Sequence, residues 1–192
     1  MTELIADAIE RASTLPSRFY TDPELFERSK DAIFAKSWQF VGDTDLVRVP
    51  TAVHPFTLLD GCLDEPLLLT RDTDDQIHLM SNVCTHRGFL VMEHGGCVRQ
   101  LRCRYHGRRF GLDGSFRSMP EFNRAEDFPS AADSLPKAPL ERWGRFLFAS
   151  VDPQPGHGIA ELLEDVERRL GWLPTEEFVF DPQRSRDYRV QA

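Results

Sequence analysis

The sequence CTHRG at residues 84–88 and the sequence CRYHG at residues 103–107 are the two stretches around which the rest of the chain is organised. Sixteen residues separate His86 from Cys103. Each stretch carries one thiolate donor and one imidazole donor, so each can close a tight loop around a metal. The glycine at its end lets the backbone turn sharply and bring amide N–H groups close to a bound group. The two stretches therefore predict a metal site built from two loops.

Four side chains are the candidate ligands, and both the metal site and the cofactor-binding site are assigned to them: Cys84, His86, Cys103 and His106. They suit either a tetrahedral zinc ion or a [2Fe–2S] cluster with both Cys on one iron and both His on the other. Zinc sites usually pair like ligands in each half of the motif. Here each loop mixes the two types and can reach both irons. This favours the cluster and leaves a zinc-stabilised binding module as an alternative.

The two stretches resemble the Rieske [2Fe–2S] motif, above all the version in the α subunits of Rieske non-haem iron ring-hydroxylating oxygenases. Residues 19–42 are similar to the segment that precedes the Rieske domain in those subunits, and the resemblance extends over about residues 15–192. Respiratory-chain Rieske proteins add a disulfide-forming Cys to each loop, where this chain has Phe89 and Tyr105. Many oxygenases have Trp after the second His-Gly, where this chain has Arg108.

The composition is that of a folded, acidic protein. The chain has 192 residues, of which 41% are hydrophobic and 14 are Phe, so it can bury a sizeable core. Its 23 Lys and Arg against 31 Asp and Glu leave a net charge of −8, which makes it a poor binder of nucleic acid. Basic residues still concentrate near the ligands, either as a docking surface for an acidic electron donor or as solvated strand residues: Arg87, Arg99, Arg102, Arg104, Arg108, Arg109 and Arg117.

Nothing in the sequence indicates a membrane or a secreted location. No apolar run approaches the length of a membrane span, and residues 1–13 lack the apolar region of a signal peptide. Cys62 and Cys97 lie beside turns and are interpreted as reduced side chains outside the site. We therefore expect a cytoplasmic protein without a membrane partner.

Short strands separated by turn signals imply an all-β sandwich or a barrel-like core. Together with the resemblance, they predict a mainly β fold, a Rieske-type antiparallel β-sandwich with N-terminal helices and one C-terminal helix. Residues 1–37 are expected to form an N-terminal helical segment, and residues 38–152 the Rieske domain. Residues 153–192 are expected to hold a linker helix and the start of a catalytic domain that is absent from the chain.

Local signals place the individual elements. A capping Thr2 followed by apolar residues at helical spacing predicts a first helix. A second helix should begin at Thr21-Asp22-Pro23-Glu24 and run to about residue 37. A third, amphipathic helix is predicted over residues 159–170. Strands are expected at residues 38–41, 46–49, 54–59, 66–71, 76–83, 99–103, 109–112, 139–143 and 145–151.

By resemblance, the chain transfers electrons through a Rieske-type [2Fe–2S] cluster, as the electron-entry half of an aromatic-ring-hydroxylating oxygenase. Such a half takes electrons from a ferredoxin or a flavin reductase and passes them to a mononuclear iron in a catalytic domain or subunit. The family often forms homotrimers, so the resemblance also implies one here. A stand-alone ferredoxin-like electron carrier is the alternative.

No catalytic residue is assigned. The other histidines are scattered along the sequence and suggest no second iron site: His54, His78, His94 and His157. The resemblance therefore makes the chain part of an oxidoreductase that, by itself, is expected only to transfer electrons.

Overall fold

The chain folds mainly as antiparallel β structure, and the computed structural model describes residues 8–122, 124–186 and 188. Within them the chain forms ten strands, and every pairing between strands is antiparallel. In chain order they are β1 Gln39–Asp43, β2 Ala52–Leu58, β3 Glu65–Arg71, β4 Ile77–Ser81, β5 Gly96–Cys97, β6 Leu101–Arg102, β7 Arg109–Phe110, β8 Phe116–Ser118, β9 Leu140–Trp143 and β10 Phe146–Ala149.

The strands are arranged in three sheets. A cover sheet has the order β1-β10-β9, a four-stranded middle sheet has the order β4-β3-β2-β5, and a third sheet has the order β6-β7-β8. In the cover sheet Gln39 lies opposite Ala149, so the first and last strands meet. This arrangement confirms the predicted mainly β, antiparallel fold.

Strand β3 explains why the four-stranded sheet lies in the middle. Leu67 and Leu69 belong to one core cluster, which includes Leu147 of the cover sheet. Leu68 belongs to the other cluster, which includes Phe110 of the third sheet. Because successive residues of a strand point to opposite faces, β3 is packed on both sides. The middle sheet therefore has a buried central strand, on which the third sheet and the ligand stretches pack.

The N-terminal segment contains two short helices, α1 at Arg18–Thr21 and α2 at Pro23–Ala32. Helix α2 begins where its sequence signal predicts. The Asp22 carboxylate accepts a hydrogen bond from the Glu24 N–H at 2.9 Å, and proline occupies the first helical position.

The described parts of the two predicted N-terminal helices differ from expectation. Helix α2 stops before residue 37, and a 3-10 turn at Phe34–Lys36 takes the place of its last turn. The start of the helix predicted from Thr2 lies in residues 1–7, outside the described part of the chain. The described residues that follow form a 3-10 turn at Ile9–Arg11.

The predicted C-terminal helix is present as two consecutive helices, α3 at Ile159–Leu162 and α4 at Glu164–Leu170. Both are attached to β9. The first N–H of α3 donates to the Glu141 carboxylate at 2.6 Å, and the Trp143 indole N–H donates to the Glu167 carboxylate at 2.5 Å. None of the helices in the described residues has the length and apolar character needed to cross a membrane.

The strand predicted over residues 46–49 is wrong. The structure has a 3-10 helix at Thr44–Val47 instead. The Asp43 carboxylate accepts a hydrogen bond from the Asp45 N–H at 2.8 Å, which starts a helical turn. The buried Arg145 guanidinium then pairs with both carboxylates, at 3.5 Å to Asp43 and 2.6 Å to Asp45. These contacts with a residue in the distant turn between β9 and β10 favour the helical turn, although the local apolar pattern is typical of a strand.

Thr70→Val tests a hydrogen bond between the middle sheet and the segment that follows β7. The Thr70 hydroxyl is fully buried and donates a 2.5 Å hydrogen bond to the Leu112 carbonyl, just after β7. Valine keeps the shape but leaves that carbonyl without its donor, so the free energy of unfolding should fall by about 1–3 kcal/mol in urea titrations. Thr57→Val, at an exposed position of β2, should change it by less than about 0.5 kcal/mol. Equal losses in the two variants would contradict this role for Thr70.

Candidate metal centre

The first ligand stretch forms a closed loop after β4. The Cys84 N–H donates to the Phe89 carbonyl at 2.8 Å, and the Gly88 N–H donates to the Cys84 carbonyl at 3.0 Å. Gly88 has a φ of +69°, in the left-handed region that glycine adopts readily. Val83 and Leu90 form an antiparallel bridge at the base of the loop. The loop is therefore the tip of a small hairpin.

The second stretch repeats this backbone geometry between β6 and β7. The Cys103 N–H donates to the Arg108 carbonyl at 2.9 Å, and the Gly107 N–H donates to the Cys103 carbonyl at 3.0 Å. Gly107 has a φ of +74°, and a Cβ at this position would meet Pro120 Cγ at 3.3 Å. In both loops the backbone of the cysteine is hydrogen-bonded to the residues four and five positions later, so the two loops have the same backbone hydrogen-bond pattern.

The two candidate thiol ligands lie in the hydrophobic core. Cys84 is 3% exposed and Cys103 is 2% exposed, and both belong to the core cluster between the middle and third sheets. Burial raises the pKa of the Cys84 thiol, a shift that the His86 backbone N–H opposes and the neighbouring Cys103 thiol reinforces. A bound metal cation would instead stabilise the thiolates, so this buried pair is suited to metal ligation.

The two candidate imidazole ligands lie at the half-buried tips of the loops. The ring centroids of His86 and His106 are 4.8 Å apart, with the rings edge to face. Phe122 packs against His86 at 5.8 Å, and the Tyr105 ring lies 3.7 Å from His106. Burial lowers the pKa of His86, and the neighbouring His106 and Arg87 lower it further. These shifts favour the neutral imidazole, which is the form that binds metals.

The arrangement of the four donors fits a binuclear cluster of the mixed type. Such a cluster takes two Cys on one iron and two His on the other, and here the thiols lie in the core while the imidazoles lie nearer to solvent. Among the residues that the structure describes, no three His, Cys, Asp or Glu side chains are grouped as ligands of one metal ion. A binuclear cluster does not require such a group, because each iron takes only two ligands from the protein.

A segment without a predicted role holds the two loops together. Residues 121–134 are polar and irregular in sequence. Yet the Thr85 hydroxyl donates to the Asp133 carbonyl at 2.8 Å, and the Arg108 guanidinium pairs with the Asp133 carboxylate. Asp133 therefore contacts both loops. One local signal was available: Ser130, three residues before Asp133, forms a capping box with it at a short 3-10 turn.

The remaining histidines have local partners elsewhere in the fold. His78 and His157 each pair with a carboxylate, at 2.7 and 2.8 Å. His54 stacks on a phenylalanine ring, and His94 lines an open surface cavity. The structure does not bring these four side chains together.

Not all of the arginines near the ligand stretches reach the surface. Arg108 is only 2% exposed, so it is not part of any docking surface. The other six are exposed: Arg87, Arg99, Arg102, Arg104, Arg109 and Arg117. The expected positive surface is therefore limited to these six side chains.

Comparison with known families identifies the two loops. The Rieske [2Fe-2S] domain family matches residues 37–130, which include both loops and all four candidate ligands. The chain carries a Rieske [2Fe-2S] domain. This confirms the predicted Rieske-type [2Fe–2S] cofactor and the resemblance on which that prediction was based.

Two proteins with similar sequences are oxygenases. Choline monooxygenase, chloroplastic, of Amaranthus tricolor is 32% identical over 178 residues, which make up 90% of this chain and 38% of the relative. The carnitine monooxygenase oxygenase subunit of Escherichia coli (strain K12) is 32% identical over 146 residues, 75% of this chain and 38% of the relative. The chain thus spans 38% of the length of these two curated relatives.

A solved structure supports the same relationship. The structure of a quaternary ammonium Rieske monooxygenase superposes with a TM-score of 0.76 at 28% sequence identity. The superposition covers 83% of this chain and 43% of that one. It confirms the Rieske-type fold.

Gly107→Ala tests the conformation of the second loop. Alanine in the left-handed region costs about 1–2 kcal/mol, and its Cβ would press on Pro120. We expect the free energy of unfolding, measured by chemical denaturation, to fall by at least that amount. Gly156→Ala is the matched control, because its Cβ would meet nothing within 4 Å and its φ is not positive. A comparable loss in Gly156→Ala would contradict the role given to the loop conformation.

Proposed function

We propose that this chain transfers single electrons through a Rieske-type [2Fe–2S] cluster, as the electron-entry part of a Rieske oxygenase. In this proposal Cys84 and Cys103 hold one iron, and His86 and His106 hold the other. The observation that carries the proposal is that the two kinds of donor occupy different places within a Rieske domain. Two thiols are buried in the core, whereas two half-buried imidazoles lie 4.8 Å apart at the loop tips.

When bound, a mixed-ligand [2Fe–2S] cluster supplies one-electron redox chemistry at a potential of roughly −150 to +300 mV. The cysteine and histidine side chains have different roles in this chemistry. The Cys84 and Cys103 side chains hold the buried end away from water. The neutral rings of His86 and His106 contribute no negative charge, and their half-exposed position makes them the accessible end for electron entry and exit. An imidazole N–H that is not bound to iron can also donate to a carboxylate of a partner.

We further propose that electrons arrive from a ferredoxin or a flavin reductase and leave for a mononuclear iron in a catalytic domain or subunit. The Escherichia coli relative is the oxygenase subunit of a carnitine monooxygenase, and the similar solved structure is described as revealing inter-subunit electron transfer in that protein. Both descriptions support a catalytic partner for this chain. A homotrimer, in which a neighbouring subunit supplies the iron, is the arrangement we propose.

The exposed arginines near the loops support an acidic electron donor. Opposite charges on two proteins steer their encounter and orient the partners. We also infer a cytoplasmic location, because Phe89 and Tyr105 stand where a loop-joining disulfide would be. The relatives named for choline and carnitine support a quaternary ammonium substrate for the oxygenase that this chain serves.

We retain the predicted division of the chain into a helical segment at residues 1–37, a Rieske domain at 38–152, and a linker helix with the start of a catalytic domain at 153–192. Strands β1 to β10 all fall within the second part, which supports these boundaries. Helices α3 and α4 fall in the third part and dock on β9.

Metal and sulfide analysis of the purified chain tests the proposal directly. We expect two iron atoms and two acid-labile sulfides per chain, with a visible absorption that bleaches after the uptake of one electron. Reduction by a ferredoxin or flavin reductase would add support for the electron-entry role. A properly folded, colourless protein that contains zinc would overturn the cluster in favour of a zinc-stabilised binding module.

Cys103→Ser should abolish the cluster. Loss of one thiolate removes one of the two protein ligands of one iron, and cluster binding is coupled to the order of the loops. We expect iron content and visible absorption to fall nearly to zero, and thermal stability to fall with them. Cys97→Ser, at an exposed position in β5, is the control and should keep the wild-type spectrum. Full iron in Cys103→Ser, or equal loss in both variants, would contradict the ligand assignment.

A further inference from the structure

We propose that Arg108 and Asp133 form a positioning pair for the cluster, in which the buried guanidinium raises the reduction potential of the cluster and Asp133 holds the two ligand loops together. This role rests on the proposed function, because it requires a cluster between the loops. It gives a redox function to a cation that lies in an apolar core.

Arg108 combines burial with attachment to the second loop. Its carbonyl accepts the hydrogen bond from the Cys103 N–H that closes the loop. Its guanidinium lies 5.1 Å from the centroid of the Phe116 ring and 5.6 Å from that of Phe128. The side chain is only 3% exposed. The positive charge is therefore fixed beside the site by packing on two aromatic rings.

Asp133 connects that charge to the first loop. Its backbone carbonyl accepts a hydrogen bond from the Thr85 hydroxyl at 2.8 Å, while its carboxylate pairs with Arg108. The same carboxylate accepts from the Ser130 N–H at 2.7 Å and from the Ser130 hydroxyl at 3.0 Å. Because Asp133 is itself held in a capping box, it can fix the separation between the two loops.

The two charges of the pair do not cancel at the site. The Asp133 side chain is 20% exposed, against 3% for Arg108, so water screens the carboxylate more strongly than the guanidinium. The Arg108 Nε is buried and has no hydrogen-bond acceptor in the described part of the chain. The carboxylate thus compensates the cation only in part, which leaves a net positive potential around the loops.

The charge of Arg108 lies close to both loops. Its own backbone closes the second loop, and its partner Asp133 accepts a hydrogen bond from Thr85 of the first loop. A nearby cation favours whichever state carries more negative charge. One-electron reduction adds a negative charge to the cluster, so the guanidinium favours the reduced form and raises the potential.

Two single substitutions separate this electrostatic effect from simple loosening of the loops. Arg108→Met removes the positive charge at similar length and should shift the reduction potential to a more negative value. Asp133→Asn removes the negative charge and should shift the potential to a more positive value. Both variants break the same ion pair, so loosening alone would move both potentials in the same direction. The measurement is a redox titration of the protein with its cluster bound, monitored by EPR, with all variants at the same pH.

Two further variants serve as controls. Arg108→Lys keeps the charge and should hold the potential close to that of the wild-type protein. Arg117→Met removes an arginine that is 59% exposed and should leave the potential unchanged, because solvent and salt screen such a charge.

Shifts of the same sign in Arg108→Met and Asp133→Asn would overturn the inference, as would a wild-type potential in a fully loaded Arg108→Met protein. If Arg108→Met does not fold, a positive shift in Asp133→Asn together with a wild-type potential in Arg108→Lys supports the inference, and any other result refutes it. A wild-type chain without iron and sulfide would instead overturn the proposed function.

Discussion

Two loops from separate hairpins can share one cluster only if their tips are held at a fixed distance. Each loop meets this constraint first within itself, through two backbone hydrogen bonds to its cysteine and a glycine in the left-handed conformation. The cysteines are then anchored in the core cluster that contains Leu68, Met80 and Phe110. Because β3 is packed on both faces, the middle sheet supports these cysteines from a buried central strand. The geometry of the site therefore depends on packing several residues away from any ligand.

The opposite face of the middle sheet also has to be covered, and segments from before and after the ligand loops provide the cover. Strand β1 pairs with β10, and the Trp38 indole N–H donates to the His157 carbonyl at 2.7 Å, across 119 residues of sequence. Arg145 lies buried in the same region and pairs with Asp43 and Asp45. The cover sheet and the ligand loops thus lie on opposite sides of the middle sheet.

Buried arginines recur on both sides of this fold, although their neighbours differ. Arg145 is 5% exposed and pairs with two carboxylates, whereas Arg108 is 2% exposed and packs on aromatic rings beside one carboxylate. A buried ion pair adds little net stability, because desolvation offsets most of the attraction. What such a pair can do is specify which segments meet. At Arg108 it joins the second loop to Asp133, and the Asp133 carbonyl joins the first loop.

The sequence by itself was enough to predict the candidate donor set, and through it the Rieske domain and its cofactor, because ligand spacing is a property of contiguous residues. The start of α2 at Pro23 was predictable for the same reason. The 3-10 helix at Thr44–Val47 was not, since its partner Arg145 is a hundred positions away. Nor was the burial of Arg108, which in sequence looks like its exposed neighbour Arg109. Only the tertiary structure decided which arginine lies beside the site, because burial depends on which distant segment covers a side chain.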